Sequence, residues 1–177
     1  MSELIQSALP YLVLFSHALF VLLVLALVYR KSWGVAIAGF MGKYAVHFAF
    51  LVSLGAVLAS LFYSQIVGFE PCVLCWWQRV FLFPLPLIFG MALWKKDPSS
   101  FRYAIPLVII AGLIASYQSY TSLGGASLLP CTAAEGACSR IYVREFGYIT
   151  IPLMSLTVSL YILLTAWSHR INENNHS

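Results

Sequence analysis

Charge is what this chain has least of. Among its 177 residues only 9% are charged, ten Lys or Arg and six Asp or Glu, against 61% hydrophobic. Soluble domains carry about 25% charged residues, so a freely soluble globular protein is excluded, and the mean hydropathy of +0.87 agrees. The net charge of +4 is not gathered into a basic face, which argues against a nucleic-acid partner. No glycine-rich phosphate loop, paired-carboxylate site or internal repeat is present, so nucleotide hydrolysis and two-carboxylate acid–base chemistry have no residues to work with. Cysteine is also scarce, with four in the chain, Cys72, Cys75, Cys131 and Cys138.

What is abundant is apolar length. Five stretches stand out, at about 9–29, 45–67, 80–94, 103–123 and 148–167. A helix needs about 20 largely apolar residues to cross a bilayer, and four of the stretches reach that alone. The third is short, but Trp76 and Trp77 extend it into the interface, where Trp is favoured. Pro84 and Pro86 predict a kink in it, tolerated where neighbouring helices satisfy the freed carbonyls. The first stretch lacks a positive leader segment (Ser2, Glu3 and Gln6 precede it) and is followed by Tyr29-Arg30-Lys31 rather than small residues. It therefore reads as a retained helix and not a cleaved signal. The expectation is an all-α integral membrane protein of five spans, a four-helix bundle core plus one added N-terminal helix. Its parts are residues 1–43 for that helix and its loop, 44–168 for the core and 169–177 for a cytoplasmic tail.

Orientation follows from Lys and Arg. Placing the first and third loops and the tail in the cytoplasm puts seven of them there and three on the other side, as the positive-inside rule prefers. The N-terminus is then outside and the C-terminus inside. All four cysteines fall in the second and fourth gaps, on the extracytoplasmic side, where disulfides form and persist.

The run Pro71-Cys72-Val73-Leu74-Cys75-Trp76-Trp77-Gln78-Arg79 sets a C-x-x-C pair at the start of the third span. Cys75 lies near a helix N-terminus, where unpaired N–H groups and the helix dipole suit a negatively charged sulfur. Arg79, at i+4 from Cys75, shares its helix face. Trp76 and Trp77 offer flat apolar surface to a ring entering from the bilayer. Three readings of the pair stay open from the residues: a redox dithiol, a static disulfide, or half of a zinc site completed by Cys131 and Cys138. Arg79 reads either as a functional cation or as an arginine snorkelling to the interface. The second pair, in Pro130-Cys131-Thr132-Ala133-Ala134-Glu135-Gly136-Ala137-Cys138, lies in a segment rich in Gly, Ala and Ser. It reads equally as a staple or as an exposed disulfide open to thiol exchange. Gln118, with Tyr117 and Tyr120, lies toward the outer end of the fourth stretch and reads as a quinone-carbonyl donor or as an interhelical hydrogen bonder. His17 and His47 each lack a visible carboxylate partner. His17 reads as structural and His47 as interfacial. Residues Tyr142 to Phe146 read as a short segment on the membrane surface.

At these residues the chain resembles the DsbB family of disulfide-forming membrane proteins, in particular its short-loop branch that includes BdbC. The likeness rests on the Cys72–Arg79 motif, on the Pro130-Cys131…Cys138 pair, and on Phe146-Gly147-Tyr148-Ile149-Thr150-Ile151-Pro152, and it covers about residues 45–167. The order of the pairs, C-x-x-C first, separates it from the vitamin K epoxide reductase family, where the loop pair comes first. The resemblance implies a bacterial cytoplasmic-membrane oxidoreductase that takes electrons from a thioredoxin-like, DsbA-type dithiol oxidase through a mixed disulfide. It implies that Cys131 or Cys138 exchanges with that partner, Cys131 being the site of attack, and that Cys72–Cys75 reoxidises the loop pair. It further implies that a membrane quinone, ubiquinone or menaquinone, accepts the electrons beside Cys75 with the support of Arg79; Trp76 and Gln118 are candidate quinone contacts from the reading of the residues themselves. The chain departs from the family in its added first helix and in the close spacing of the second cysteine pair. It also carries Gln118 where some relatives are expected to have histidine.

Overall fold

A computed structural model describes residues 2–28, 33–97, 99–125, 143–144 and 146–176. Cys131 and Cys138 lie outside the described residues, as do Tyr142 and Glu145 of the expected surface segment. The helices run in the order α1 (Ser2–Val28), α2 (Trp33–Lys43), α3 (Ala45–Leu61), α4 (Val73–Leu82), α5 (Pro84–Lys95), α6 (Ser100–Ser122) and α7 (Ile151–His176), with α3 continuing into a π-helical turn at Phe62–Ile66. Five segments among the described residues are long and apolar enough to span a membrane: Tyr11–Val28, Ala45–Ile66, Val73–Lys95, Ser100–Ser122 and Ile151–Glu173. In hydrocarbon the backbone must satisfy its own polar groups, so each apolar run closes into helix. The chain is an all-α five-span membrane protein.

The third span begins at Val73, earlier than the apolar run at 80, so Cys75, Gln78 and Arg79 are all carried on its helix. It breaks at Phe83, between α4 and α5, because Pro84 and Pro86 have no N–H to return to the carbonyls of the preceding turn. Small residues bring the core helices together. Ala104, Val108, Ala111 and Ala115 recur along one face of α6, and Ala45, Ala49 and Ser53 along one face of α3, all buried. Leu85 and Phe89 of α5 fill the space between. Close approach of small side chains replaces the hydrophobic effect as the source of helix association in lipid. Hydroxyls within the bundle bond back to their own helices, Ser53 to Phe50 O at 3.0 Å and Thr165 to Ile162 O at 2.8 Å.

Two elements differ from the sequence expectation. Residues 33–43, expected as loop, form α2, a helix about 16 Å long that is too short to span. It buries Ala38 and Met41 against Leu27 of α1 and Leu164 of α7, and the Ser168 hydroxyl donates to Ala38 O at 3.1 Å. Residues 169–176, expected as tail, continue α7. The two meet at Gly42, where an added Cβ would strike Asn172 Cβ and lie 2.9 Å from Ser168 O. Gly42→Leu is therefore expected to cost about 2 kcal/mol or more, the overpacking penalty exceeding the gain of about 1 kcal/mol in helix propensity. Thermal unfolding in detergent measures it. An unchanged midpoint would mean that α2 does not dock on α7.

Candidate dithiol site

The sequence folds the two cysteines against one helix start. After the π-helical turn, Gly68 takes a positive φ of 81°, a conformation that costs glycine least. Phe69 N then bonds Tyr63 O at 3.0 Å and the two rings stack with centroids 5.7 Å apart. This reversal delivers Cys72 to the N-cap of α4, with φ −71° and ψ 168°. Its sulfur accepts from Cys75 N at 3.4 Å, the role that Ser or Asp plays at other caps. Cys72 Sγ and Cys75 Sγ stand 3.0 Å apart, in contact but beyond the roughly 2.05 Å of a disulfide bond. Cys72 is buried and Cys75 half-buried.

Gln118 of α6 holds both sulfurs. Its Nε2 donates to Cys72 Sγ at 3.1 Å and to Cys75 Sγ at 3.3 Å, while its Oε1 accepts from Gln78 Nε2 at 2.8 Å. Both glutamines are buried. The donor and acceptor pattern is self-consistent: the Gln78 amide on one side and two acceptor sulfurs on the other permit one orientation of the Gln118 amide. Gln78 lies at i+3 from Cys75, on the same face, yet the sequence reading assigned it no role. Its signal was that a glutamine in a membrane helix must find a partner.

Arg79 is half-buried and bonds across to α3. Its Nε donates to Ser60 Oγ at 3.0 Å and one Nη to Ser60 O at 3.2 Å. Ser60 sits just before the π-helical turn, a widening that changes which carbonyls the helix uses itself. The guanidinium also lies 5.2 Å from the Trp76 ring centroid and 5.9 Å from that of Phe83, within cation–π range. Trp76 itself is 57% exposed, on the outward side of this arginine.

Cys72, Cys75, Gln118 and Arg79 all line one cavity of about 990 Å³, whose walls come from α1, α2, α3, α4, α6 and α7 and are mostly apolar. Trp76 is not among its lining residues. Thr150 and Ser155, at the start of α7, do line it, and neither hydroxyl has a hydrogen-bond partner among the described residues. Thr150 stands where a capping residue would, its carbonyl taking the first helical bond from Met154 N at 3.0 Å, but its hydroxyl is not spent on the cap. His17 lies away from this cluster and meets Thr157 Oγ1 through Nε2 at 2.8 Å. His47 is exposed near the start of α3. Among the described residues no three His, Cys, Asp or Glu side chains gather as a metal site.

A membrane helical bundle with a cysteine pair capping one helix start defines a class, the membrane-embedded thiol–disulfide oxidoreductases. Comparison with known proteins makes the family specific. A family model described as "Disulfide bond formation protein DsbB" matches residues 42–168, and the chain belongs to the DsbB family. It is 39% identical over 132 residues to the SPbeta prophage-derived disulfide bond formation protein B of Bacillus subtilis, covering 72% of this chain and 89% of that protein. It is 38% identical to a probable disulfide formation protein C 1 of Bacillus cereus, over 64% of this chain and 83% of the relative. A probable disulfide formation protein of Coxiella burnetii is 34% identical over 71% of this chain and 90% of its own length. No solved structure gives a significant match. The chain is thus a multi-pass protein of the bacterial inner membrane, with a disulfide oxidoreductase role in disulfide bond formation and a thiol–disulfide partner.

Proposed function

We propose that the chain is a quinone-linked thiol oxidase. It reoxidises a DsbA-type dithiol oxidase outside the membrane and passes the electrons to ubiquinone or menaquinone. The observation that carries this reading is the Cys72–Cys75 pair on the wall of a large, mostly apolar cavity that Arg79 also lines. A quinone head is a flat apolar ring with two acceptor oxygens. Arg79 is a donor on the wall and the rest of the lining is mostly apolar, so the residues present fit that chemistry. The quinone supplies a two-electron, two-proton sink.

The protein's own steps follow from thiol exchange. The partner's dithiol attacks the Cys131–Cys138 disulfide, Cys131 first, through a mixed disulfide. The partner leaves oxidised and the loop pair is left as two thiols. These reduce the Cys72–Cys75 disulfide and recover their own S–S bond. The Cys72–Cys75 dithiol then gives up two electrons and two protons and closes again, so each cycle consumes one partner dithiol and forms one quinol. Gln118, held by Gln78, keeps both sulfurs at the cavity wall. Arg79 faces the same space, and Trp76 backs its guanidinium.

Mixing purified protein, a reduced DsbA-type protein and quinone without oxygen tests the reading. One quinol should form per thiol pair lost. No quinol from either quinone, or zinc bound in stoichiometric amount, would overturn it. Arg79→Ala is expected to raise the apparent KM for quinone about tenfold, equivalent to about 1.4 kcal/mol, with a smaller change in kcat. If quinone dependence stays put while the melting temperature falls, Arg79 is a structural anchor to Ser60 and nothing more.

A further inference from the structure

The family match begins at residue 42, so α1 lies outside it. We infer that α1 forms the outer wall of a groove that receives the isoprenoid tail of the quinone, an inference that rests on the quinone reading above.

The cavity at the dithiol is far larger than a quinone head requires. About 150 Å³ accommodates a benzene-sized ring, and this cavity measures about 990 Å³. The remainder is lined by α1 and α3, with Phe40 and Met41 of α2 and Val158 and Tyr161 of α7 completing its walls. Leu12, Leu19 and Leu23 of α1 line one side, and Phe48, Val52 and Ala56 of α3 the other. From Leu12 to Leu23 the wall runs about 16 Å and from Phe48 to Ser60 about 18 Å, at about 1.5 Å per residue. Ser60, the partner of Arg79, marks the head end and Phe48 the far end. The space is therefore a long apolar slot entered from the redox pair, the shape of a ring followed by a hydrocarbon chain.

α1 is fixed at that distance by polar contacts to α7. The Thr157 hydroxyl donates to Leu153 O at 2.9 Å, so it accepts from His17 Nε2 at 2.8 Å. The Tyr161 hydroxyl donates to Ser16 O, and Phe20 meets the Tyr161 ring edge-on at 5.2 Å. Such bonds are directional where apolar helix packing in lipid is not. They hold α1 on α7, with Leu12, Leu19 and Leu23 on the cavity wall.

The test compares two quinones of one ring type, one with a single isoprene unit and one with a full-length tail, by titration calorimetry in detergent and by quinone retained on the protein after gel filtration. The unsubstituted protein should bind the long-tailed quinone at least about tenfold more tightly. Leu19→Trp, from the α1 side, and Ala56→Phe, from the α3 side, should each remove that advantage and leave the short-tailed quinone within about twofold. Leu22→Trp, on the exposed face of α1, should change neither. Equal loss for both quinones in the two filled variants, no tail advantage in the unsubstituted protein, or a retained phospholipid that the long-tailed quinone does not displace would overturn the inference. Failure of the quinone reading itself would look different: neither quinone would bind, and neither would be reduced.

Discussion

Cys75→Ser is expected to lower quinone-dependent thiol oxidation to below about a thousandth of the unsubstituted rate, since loss of a covalent participant leaves only residual binding effects. The Cys72 and Cys75 sulfurs stand 3.0 Å apart, and the proposed cycle opens and closes the bond between them. A serine oxygen forms no such bond under these conditions, so this position would have no two-electron carrier. The fold should survive. Serine is the smaller side chain, its hydroxyl can accept from Gln118 Nε2, and the helix start is capped by Cys72 rather than by Cys75. Quinol formation under anaerobic conditions and thermal unfolding together read the result. Continued quinol formation at the original rate in a protein of unchanged melting temperature would mean that the electrons do not pass through this pair.

How far the sequence alone reached depends on the range of each interaction. Span number was legible because an uninterrupted apolar run is a local property, and the added helix at 11–28 was visible on that ground. Helix α2 was missed because a largely apolar run of only eleven residues, ending in Lys43, falls below the length that signals a span, and its burial depends on Leu164, far along the chain. The start of the third span at Val73 was blurred because Gln78 and Arg79 depress the local hydropathy, though both are satisfied inside the bundle. The Cys72–Cys75–Arg79 face was legible from helical spacing. Its supports were not. Gln78 meets a partner 40 positions away and Arg79 one 19 positions away, and neither pairing leaves a local pattern. Gln118 had two readings in the sequence, and its observed contacts are with Gln78 and the two sulfurs. Trp76, read as a ring contact, stands outside the cavity beside the Arg79 guanidinium. Thr150 was part of the motif that opens the last span, and only its buried hydroxyl without a partner draws attention to it.

Gln118→Leu is expected to slow the reaction about 10- to 100-fold and to destabilise the protein by about 1–3 kcal/mol, for two separable reasons. Leucine has a similar volume but no donor, so both sulfurs lose the hydrogen bonds at 3.1 and 3.3 Å that hold them at the cavity wall. Hydrogen bonds that involve a charged partner contribute about 1.5–3 kcal/mol, which sets the rate effect if they act when a sulfur carries charge. The stability loss has another origin: Gln78 Nε2, buried in the bundle, would lose the acceptor it meets at 2.8 Å, and an unsatisfied buried donor costs about 1–3 kcal/mol. Removing both amides separates the two. Gln78→Leu together with Gln118→Leu leaves no orphaned amide, so the melting temperature should recover toward that of the unsubstituted protein while the rate stays low. Coupling of this kind is expected between residues in direct contact. If the double variant regains activity along with stability, Gln118 acts only as a packing element between α4 and α6. If Gln118→Leu alone is as active as the unsubstituted protein, the sulfurs do not need the amide at all.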